Sequence, residues 1–390
     1  MGPRYLAPFV LRDLAKKMVF IGGPRQVGKT TFAKALGAGE FPAASYLNWD
    51  VRDDKRAILE GRRDAKGGLV VFDEIHKYRD WKNLLKGEFD GRPKGRSILV
   101  TGSARLDTYQ KGGDSLLGRY FYYRMHPLSV AELAGTAPDY KDFTGLKFPA
   151  AGASAKKALA DLLTFGGFPE PFFGKDAADL RRWHNDRVRR LVAEDVRDLH
   201  ALRDLHALEL LTSLLPERVG SLLSANSLAR DLQTSHKTVA SWLDILESVY
   251  YAYRIYPYQS NRIRALQKEP KIYLWDWSET PEGGPRNENL VAGNLLKLAH
   301  LLRDAYGHKA ELYHVRDRDG RETDFLLEAA GKKILVEVKS GDTSVSPHLR
   351  YFAGKLGADE AYQVVFGSDA DDLVGGVRVM GAHRFLAGLA

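Results

Sequence analysis

Apolar and polar positions along this chain follow two rhythms that succeed one another. Met18-Val19-Phe20-Ile21 is a continuous apolar run, and a helical repeat follows from Thr30 to Leu36, closed by Gly37. Ser45 to Asp50, Gly68 to Ile75, Ser97 to Thr101 and Tyr120 to Tyr123 are further short apolar or apolar-aromatic runs. Continuous runs of this length suit strands buried on both faces of a parallel sheet, so the first third predicts an α/β core. From Pro127 to about His206 the pattern turns helical, with Phe148 to Ser154, rich in Gly, Ala, Pro and Ser, as a linker. Arg181 to Arg203 carries charges of both signs, which predicts a solvated helix face or a subunit contact. Leu208 to Leu215 predicts one helix, Ser227 caps a second, and Thr234-Ser235 opens a third. In that third helix Val239, Trp242, Leu243 and Leu246 fall on one core face. Val249 to Tyr256 reads as a strand pair.

In the last third, Glu288 shares a helical stripe with Val291, Leu295, Leu298 and Leu302. Thr323 to Glu328 and Lys333 to Lys339 predict two strands joined by Ala329-Ala330-Gly331-Lys332, followed by a helix (Ser346 to Leu356) and a strand (Ala361 to Phe366). The pattern divides the chain into a parallel α/β core (1–126), a helical linking region (127–206), a winged-helix domain (207–260) and a second α/β domain (261–390).

Composition narrows the chemistry. The chain has 390 residues and no cysteine, which excludes disulfide frameworks, thiolate metal sites and cysteine nucleophiles. Lys and Arg exceed Asp and Glu by 58 to 50, a mild bias toward a polyanionic partner. No apolar run has the length of a membrane span or a signal-peptide core. The expectation is a soluble cytoplasmic protein with no membrane partner.

Gly23 to Thr30, GPRQVGKT, sits between the first apolar run and the first helical repeat. A strand, a G-x-x-x-x-G-K-[ST] loop and a helix make a phosphate cradle. Gly23, Pro24, Arg25, Gln26, Val27, Gly28, Lys29, Thr30 and Thr31 are the candidate nucleotide-binding residues. The glycines let backbone N–H groups turn toward phosphate, the helix N-terminus favours the anion, Lys29 reaches phosphate oxygens and Thr30 ligates Mg²⁺. Asp73-Glu74 end an apolar run where ligands bind in open α/β sheets. Asp73 would hold Mg²⁺ through water, and Glu74 would orient or deprotonate the attacking water. Thr101 and Ser103, after the next strand, are both candidates to sense the terminal phosphate. Arg119, just before the last core strand, is a candidate to reach a neighbouring subunit's nucleotide.

The runs GPRQVGKTT, YLNWD, VVFDEIHKYRDWKNLLK, VTGSARL, LLGRY and HPLSVAEL resemble the prokaryotic AAA+-like ATPases that carry a poorly characterised C-terminal domain. The similarity continues through Gly166 to Glu170 and Glu269 to Tyr273 into the last third. It implies Mg²⁺-dependent binding and hydrolysis of ATP, and a homo-oligomer, a hexamer among the possible forms, assembled through Arg119.

Two later stretches bear on the partner. The third helix of the winged-helix candidate would present Ser235, His236, Lys237 and Ser241 to DNA, although Asp244 opposes phosphate there and such modules also bind proteins. If the loop after Glu328 is a four-residue hairpin turn, Asp324 lies directly across from Glu337, with Lys339 on the same face. Glu288, Asp324, Glu337 and Lys339 resemble the metal-binding set of restriction-endonuclease-like, PD-(D/E)XK nucleases, whose acids bind Mg²⁺ and whose lysine steadies the attacking water. The sequence therefore predicts an ATP-hydrolysing, DNA-binding motor or switch with a nuclease-like C-terminal domain. Its alternative is a nucleotide-gated regulator of a protein partner whose nuclease-like domain is silent.

Overall fold

The apolar runs of the first third lie side by side. The computed structural model describes residues 4–62, 68–102, 106, 116–191, 205–259 and 268–390. Met1–His126 with Ser248–Tyr250 forms one unit, and Pro127–Glu247 with Tyr251–Ala390 forms a second. The first unit runs α1 (Ala7–Leu14), β1 (Met18–Gly22), α2 (Lys29–Glu40), β2 (Ala44–Asn48), α3 (Arg52–Leu59), β3 (Gly68–Asp73), α4 (Trp81–Asp90), β4 (Arg96–Thr101) and β5 (Tyr120–Arg124). Its sheet has the order β2-β3-β4-β1-β5, and every pair is parallel. β1 and β3 are buried along their whole length, which explains their unbroken apolar runs.

Register gathers the polar strand ends. Ile21 pairs with Thr101, and Thr101 pairs with Asp73. The loop after β1 and the last residues of β3 and β4 therefore share the C-terminal edge of the sheet, where open α/β folds bind ligands. One boundary needs correction: Gly37 does not close α2, which runs on to Glu40. A Cβ at Gly37 would come within 2.8 Å of the Ala44 Cβ, so this glycine serves close packing of helix on strand.

The second unit begins with the helices α5 (Val130–Ala134), α6 (Ala153–Phe165), α7 (Pro169–Gly174), α8 (Ala177–Arg190), α9 (Leu205–Leu214), α10 (Ala225–Asp231) and α11 (His236–Ser248). It continues through β6 (Ala252–Ile255), β7 (Lys271–Leu274), α12 (Gly284–Tyr306), β8 (Ala310–Arg316), β9 (Glu322–Ala329), β10 (Lys332–Lys339), α13 (Pro347–Leu356), β11 (Glu360–Val365), β12 (Asp371–Val374), β13 (Val377–Gly381) and α14 (Ala382–Ala387).

Several sequence expectations shift here. Phe148 is no free linker residue: its ring packs 5.3 Å from that of Tyr362 and 5.7 Å from that of Phe385. On mixed-charge α8, Trp183 and Arg187 are buried, the latter paired to Glu279 at 2.5 Å; Glu194, Asp195, Arg197 and Asp198 lie outside the described residues. Ser224, not Ser227, caps α10, because the Ser224 hydroxyl accepts the Ser227 N–H. The strand pair expected within 249–256 is β6 alone, and its antiparallel partner is the distant β7. The core face of α11 is as read, with Val239, Trp242, Leu243 and Leu246 buried.

The larger sheet has the order β12-β13-β11-β10-β9-β8. β8 to β10 form an antiparallel meander, and β11 joins β10 in parallel. Pairs of β9 and β10 run from Lys332↔Ala329 to Val336↔Phe325. The register is the one expected, though the turn has two residues, Ala330 and Gly331, both left-handed. Leu326 and Leu335 pack beneath Leu349 and Phe352 of α13. Within this unit the buried Lys297 ammonium on α12 donates to Ser129 Oγ at 2.8 Å and pairs with Glu132, tying α12 to α5.

Candidate functional site

The loop between β1 and α2 is shaped by backbone that only particular residues tolerate. Gly23 and Gly28 take φ of 141° and 99°, and Gln26 is left-handed as well. A Cβ at Gly23 would stand 2.5 Å from the Met125 carbonyl oxygen, so only glycine fits. Arg4, near the chain start, donates to the Val27 carbonyl at 2.8 Å and to the His126 carbonyl, bracing the loop from outside. The Lys29 side chain is buried, and its ammonium donates to the loop's own Gly23 and Pro24 carbonyls at 2.8 and 2.7 Å. A cation already desolvated inside the loop is placed to exchange these carbonyls for phosphate oxygens.

Asp73 is the hub of the strand ends. Thr30 donates to its Oδ2 at 2.9 Å, Thr101 to its Oδ1 at 2.6 Å, and the Tyr46 phenol also donates to Oδ2. Burial first, then the Asp73 bond, raises the Tyr46 phenol well above its ordinary value, so Tyr46 stays a donor. Glu74 takes left-handed backbone, and its carboxylate is mostly buried. Its Oε2 has no hydrogen-bond partner and lies 3.4 Å from His76 Nε2. Burial raises the Glu74 carboxyl above its usual range, while Lys29 opposes that rise.

These residues fit a Mg²⁺–nucleotide. Thr30 and Asp73 are already in contact and are the residues that would hold the ion, and the buried Glu74 Oε2 faces His76 at 3.4 Å and Lys77 at 4.0 Å. Bound Mg²⁺ would supply charge neutralisation between the phosphates. Thr101, expected along with Ser103 as a candidate to sense the terminal phosphate, is fully buried, and its hydroxyl donates to Asp73. Ser103, the other candidate, lies outside the described residues. Tyr46 and Arg4 carried no signal in the sequence beyond a strand aromatic and a terminal arginine.

Arg119 stands apart. Met18 pairs with Tyr120, so Arg119 lies at the N-terminal edge of the sheet while the loop follows Gly22 at the other. The strand separates them by about 16 Å at ~3.3 Å per residue. Its guanidinium forms a two-pronged pair with Asp90 at 2.9 and 3.0 Å.

In the second unit, Ser235, His236, Lys237 and Ser241 are exposed at the start of α11. The Ser235 hydroxyl accepts the Thr238 N–H at 3.1 Å, and Asp244 pairs with Arg254 at 2.7 Å. A cavity of about 850 Å³ opens between the β8–β9 turn, Pro257 and α13, lined in part by Lys268, Arg316, Arg318, Lys355 and the buried His314.

The acidic centre differs from its sequence expectation. Asp324 accepts the Val338 N–H at 2.8 Å, and Glu337 takes the Lys339 ammonium at 2.7 Å, as the register requires. Burial first, then Glu288, raises the Asp324 carboxyl above its usual range; burial first, then Asp324, does the same for Glu337. Between Glu288 and Asp324, however, sits the ammonium of Lys271, 3.2 Å from Glu288 Oε1, 2.5 Å from Glu322 Oε1 and 3.8 Å from Asp324 Oδ1. Burial alone would lower the Lys271 pKa, but Glu288, Asp324 and Glu322 together raise it. The expected open metal set of Glu288, Asp324 and Glu337 is therefore not what the chain presents. No group of three or more His, Asp or Glu side chains among the described residues could hold a metal ion. Sequence reasoning missed Lys271 and Glu322; the one available signal was a lysine heading the apolar strand Lys271–Leu274.

Comparison with known proteins matches three stretches of the chain. Residues 15–134 match a family described as an AAA domain, 156–278 a domain of unknown function (DUF8612), and 284–385 another (DUF4143). An uncharacterized protein of Mycobacterium tuberculosis is 24% identical over 353 residues, covering 85% of this chain and 73% of its own. An uncharacterized protein of Haemophilus influenzae is 22% identical over 324 residues, covering 75% and 73%. Among solved structures, the RuvB Holliday junction branch migration motor of Thermotoga maritima aligns with a TM-score of 0.32 at 15% identity, covering 64% of this chain and 87% of its own. A STAND signal-transduction ATPase of Pyrococcus horikoshii aligns at 0.29 and 13%, covering 76% and 45%. The N-terminal unit thus carries an AAA-type ATPase domain. No helix among the described residues is long and apolar enough to cross a membrane.

Proposed function

We propose that this chain is a Mg²⁺-dependent ATP hydrolase of the AAA+ type that works as a homo-oligomeric, DNA-binding motor or switch. The observation that carries the ATPase reading is the Thr30–Asp73–Thr101 cluster beside the buried Lys29 and the orphaned Glu74 oxygen. Lys29 would hold phosphate, Thr30 and Asp73 would hold Mg²⁺, which supplies charge neutralisation when bound, and Glu74 would orient or deprotonate the attacking water. The helices α9 to α11 with the β6–β7 ladder support a winged helix with Lys237 on its outer face. The order α12, β8, β9, β10, α13, β11 supports a restriction-endonuclease-like body. The DNA partner rests on these two supports; the β8–β9 cavity adds little, since Glu269, Asp317 and Asp319 line it beside its basic residues.

A second reading, a nucleotide-gated regulator with a silent nuclease-like domain, is favoured by Lys271 filling the acidic centre. ATP turnover measured with and without single-stranded, duplex and branched DNA, alongside oligomer mass, separates the two. Stimulation by DNA, with binding that weakens steeply as salt rises, is the expected result. Turnover indifferent to every DNA and no binding at low salt would leave only the regulator.

A further inference from the structure

The acidic centre of the second unit is internally neutralised in a way that bears on what the unit can do. Lys271 is the first residue of β7, and its backbone is held from two sides. It pairs with Ile255 of β6 and bridges to Leu222. Its side chain is 3% exposed, and its ammonium meets oxygens of Glu322, Glu288 and Asp324 at 2.5, 3.2 and 3.8 Å. The remaining donors complete the set. Tyr273, two residues along β7, donates to the same Glu288 oxygen at 2.6 Å. Arg316 pairs with the other Glu322 oxygen at 2.9 Å. The Val338 N–H holds Asp324 Oδ2 at 2.8 Å, and Lys339 holds Glu337. Glu337 Oε2 is left buried without a hydrogen bond.

A divalent ion needs several oxygens at about 2.0–2.6 Å arranged around one point. Here Glu322 and Glu288 meet the Lys271 ammonium directly and Asp324 stands farther off, so a covalently tethered cation lies among the three carboxylates and they do not close into a metal cage. Ammonium and metal would compete for the same oxygens and the same volume. A buried carboxylate cluster without either would carry several uncompensated charges.

We infer that Lys271 is a built-in replacement for the divalent cation of this centre, so that the second unit operates as a metal-free binding body rather than as a phosphodiester hydrolase. The inference rests on reading that unit as restriction-endonuclease-like. It explains why the set of acids persists in space without gathering into a metal cage. The lysine supplies the charge that holds Glu288 on α12 against Glu322 and Asp324 on β9.

The test counts Mn²⁺ on the full-length, nucleotide-free chain, by titration with electron paramagnetic resonance of the free ion. Lys271→Met keeps the length of the side chain and drops its charge. Lys271→Met is expected to gain one Mn²⁺ per chain relative to wild type, and Lys271→Met with Asp324→Asn to lose it again. Wild type and Asp324→Asn alone are expected to bind equal amounts. The inference is overturned by wild-type Mn²⁺ binding that Asp324→Asn removes, or by a folded Lys271→Met that gains none. Should Lys271→Met fail to fold, the wild-type and Asp324→Asn pair decides alone. The metal count does not depend on DNA, so a chain with no DNA response would sink the DNA reading while leaving this result in place.

Discussion

Asp73 accepts from three hydroxyls on three different elements, α2, β2 and β4. Thr101 is the most informative, because its hydroxyl is buried and its strand is fixed by register on both sides. A hydrogen bond to a charged group contributes about 1.5–3 kcal/mol, so Thr101→Val strips Asp73 Oδ1 of its donor and leaves the carboxylate held through Oδ2 alone, by Thr30 and Tyr46. The expected outcome is a loss of roughly tenfold or more in ATP turnover, with a raised Mg²⁺ requirement and nearly unchanged nucleotide binding. Turnover against Mg²⁺ concentration checks it; a variant that loses turnover with no change in Mg²⁺ requirement would place Thr101 on the phosphate instead. Lys29→Ala removes the one cation buried inside the loop and should abolish hydrolysis altogether. Turnover surviving in that variant would mean the site lies elsewhere.

At the scale of elements, β8 carries a pH dependence that can be isolated. His314 is buried beside the cavity; its ring faces the Glu269 backbone, yet neither nitrogen makes a hydrogen bond of normal geometry. Burial first, then Lys271, lowers its imidazole to about 4, with Glu322 opposing. The folded value lies below the unfolded one, so folding favours the neutral ring. Its stabilising contribution is complete above about pH 6.5 and is lost as pH falls toward about 4, a total near 3 kcal/mol. Denaturant midpoints at about pH 7.5 and about pH 4.5 should therefore fall further in wild type than in His314→Gln; parallel losses would reject the assignment. Elements of this kind were legible to different degrees. Strands buried on both faces announced themselves, and the β9–β10 register followed from placing the hairpin turn at Ala329 to Lys332. What stayed hidden was non-local. The partner of β6 lies beyond a stretch of chain with no pairing signal, and Lys271 acquires its meaning only when β7, α12 and β9 meet. Gly37 misled for a related reason: a helix-ending residue and a close-packing residue look alike until Ala44 is in place.

At the scale of the molecule, the parallel sheet itself dictates how Arg119 can act. A strand's length separates it from the loop of its own chain, and an extended arginine side chain cannot span that distance. If Arg119 offsets charge on a transferring phosphoryl group, the nucleotide belongs to a neighbouring copy, and the exposed pair with Asp90 is the arrangement it would give up on assembly. Closed rings place one heterologous interface between each adjacent pair, and that gives the hypothesis a quantitative signature. Arg119→Ala alone should lose turnover by on the order of a thousandfold, as arginine fingers do elsewhere, and Lys29→Ala alone should be inactive. Mixed in equal amounts and allowed to exchange, the two variants should regain activity, because an intact loop then faces an intact arginine at about a quarter of the interfaces. Mass measurement must show mixed oligomers in the same sample. Mixed oligomers without any recovery would exclude action in trans, and an Arg119→Ala variant with wild-type turnover would reduce Arg119 to a partner for Asp90.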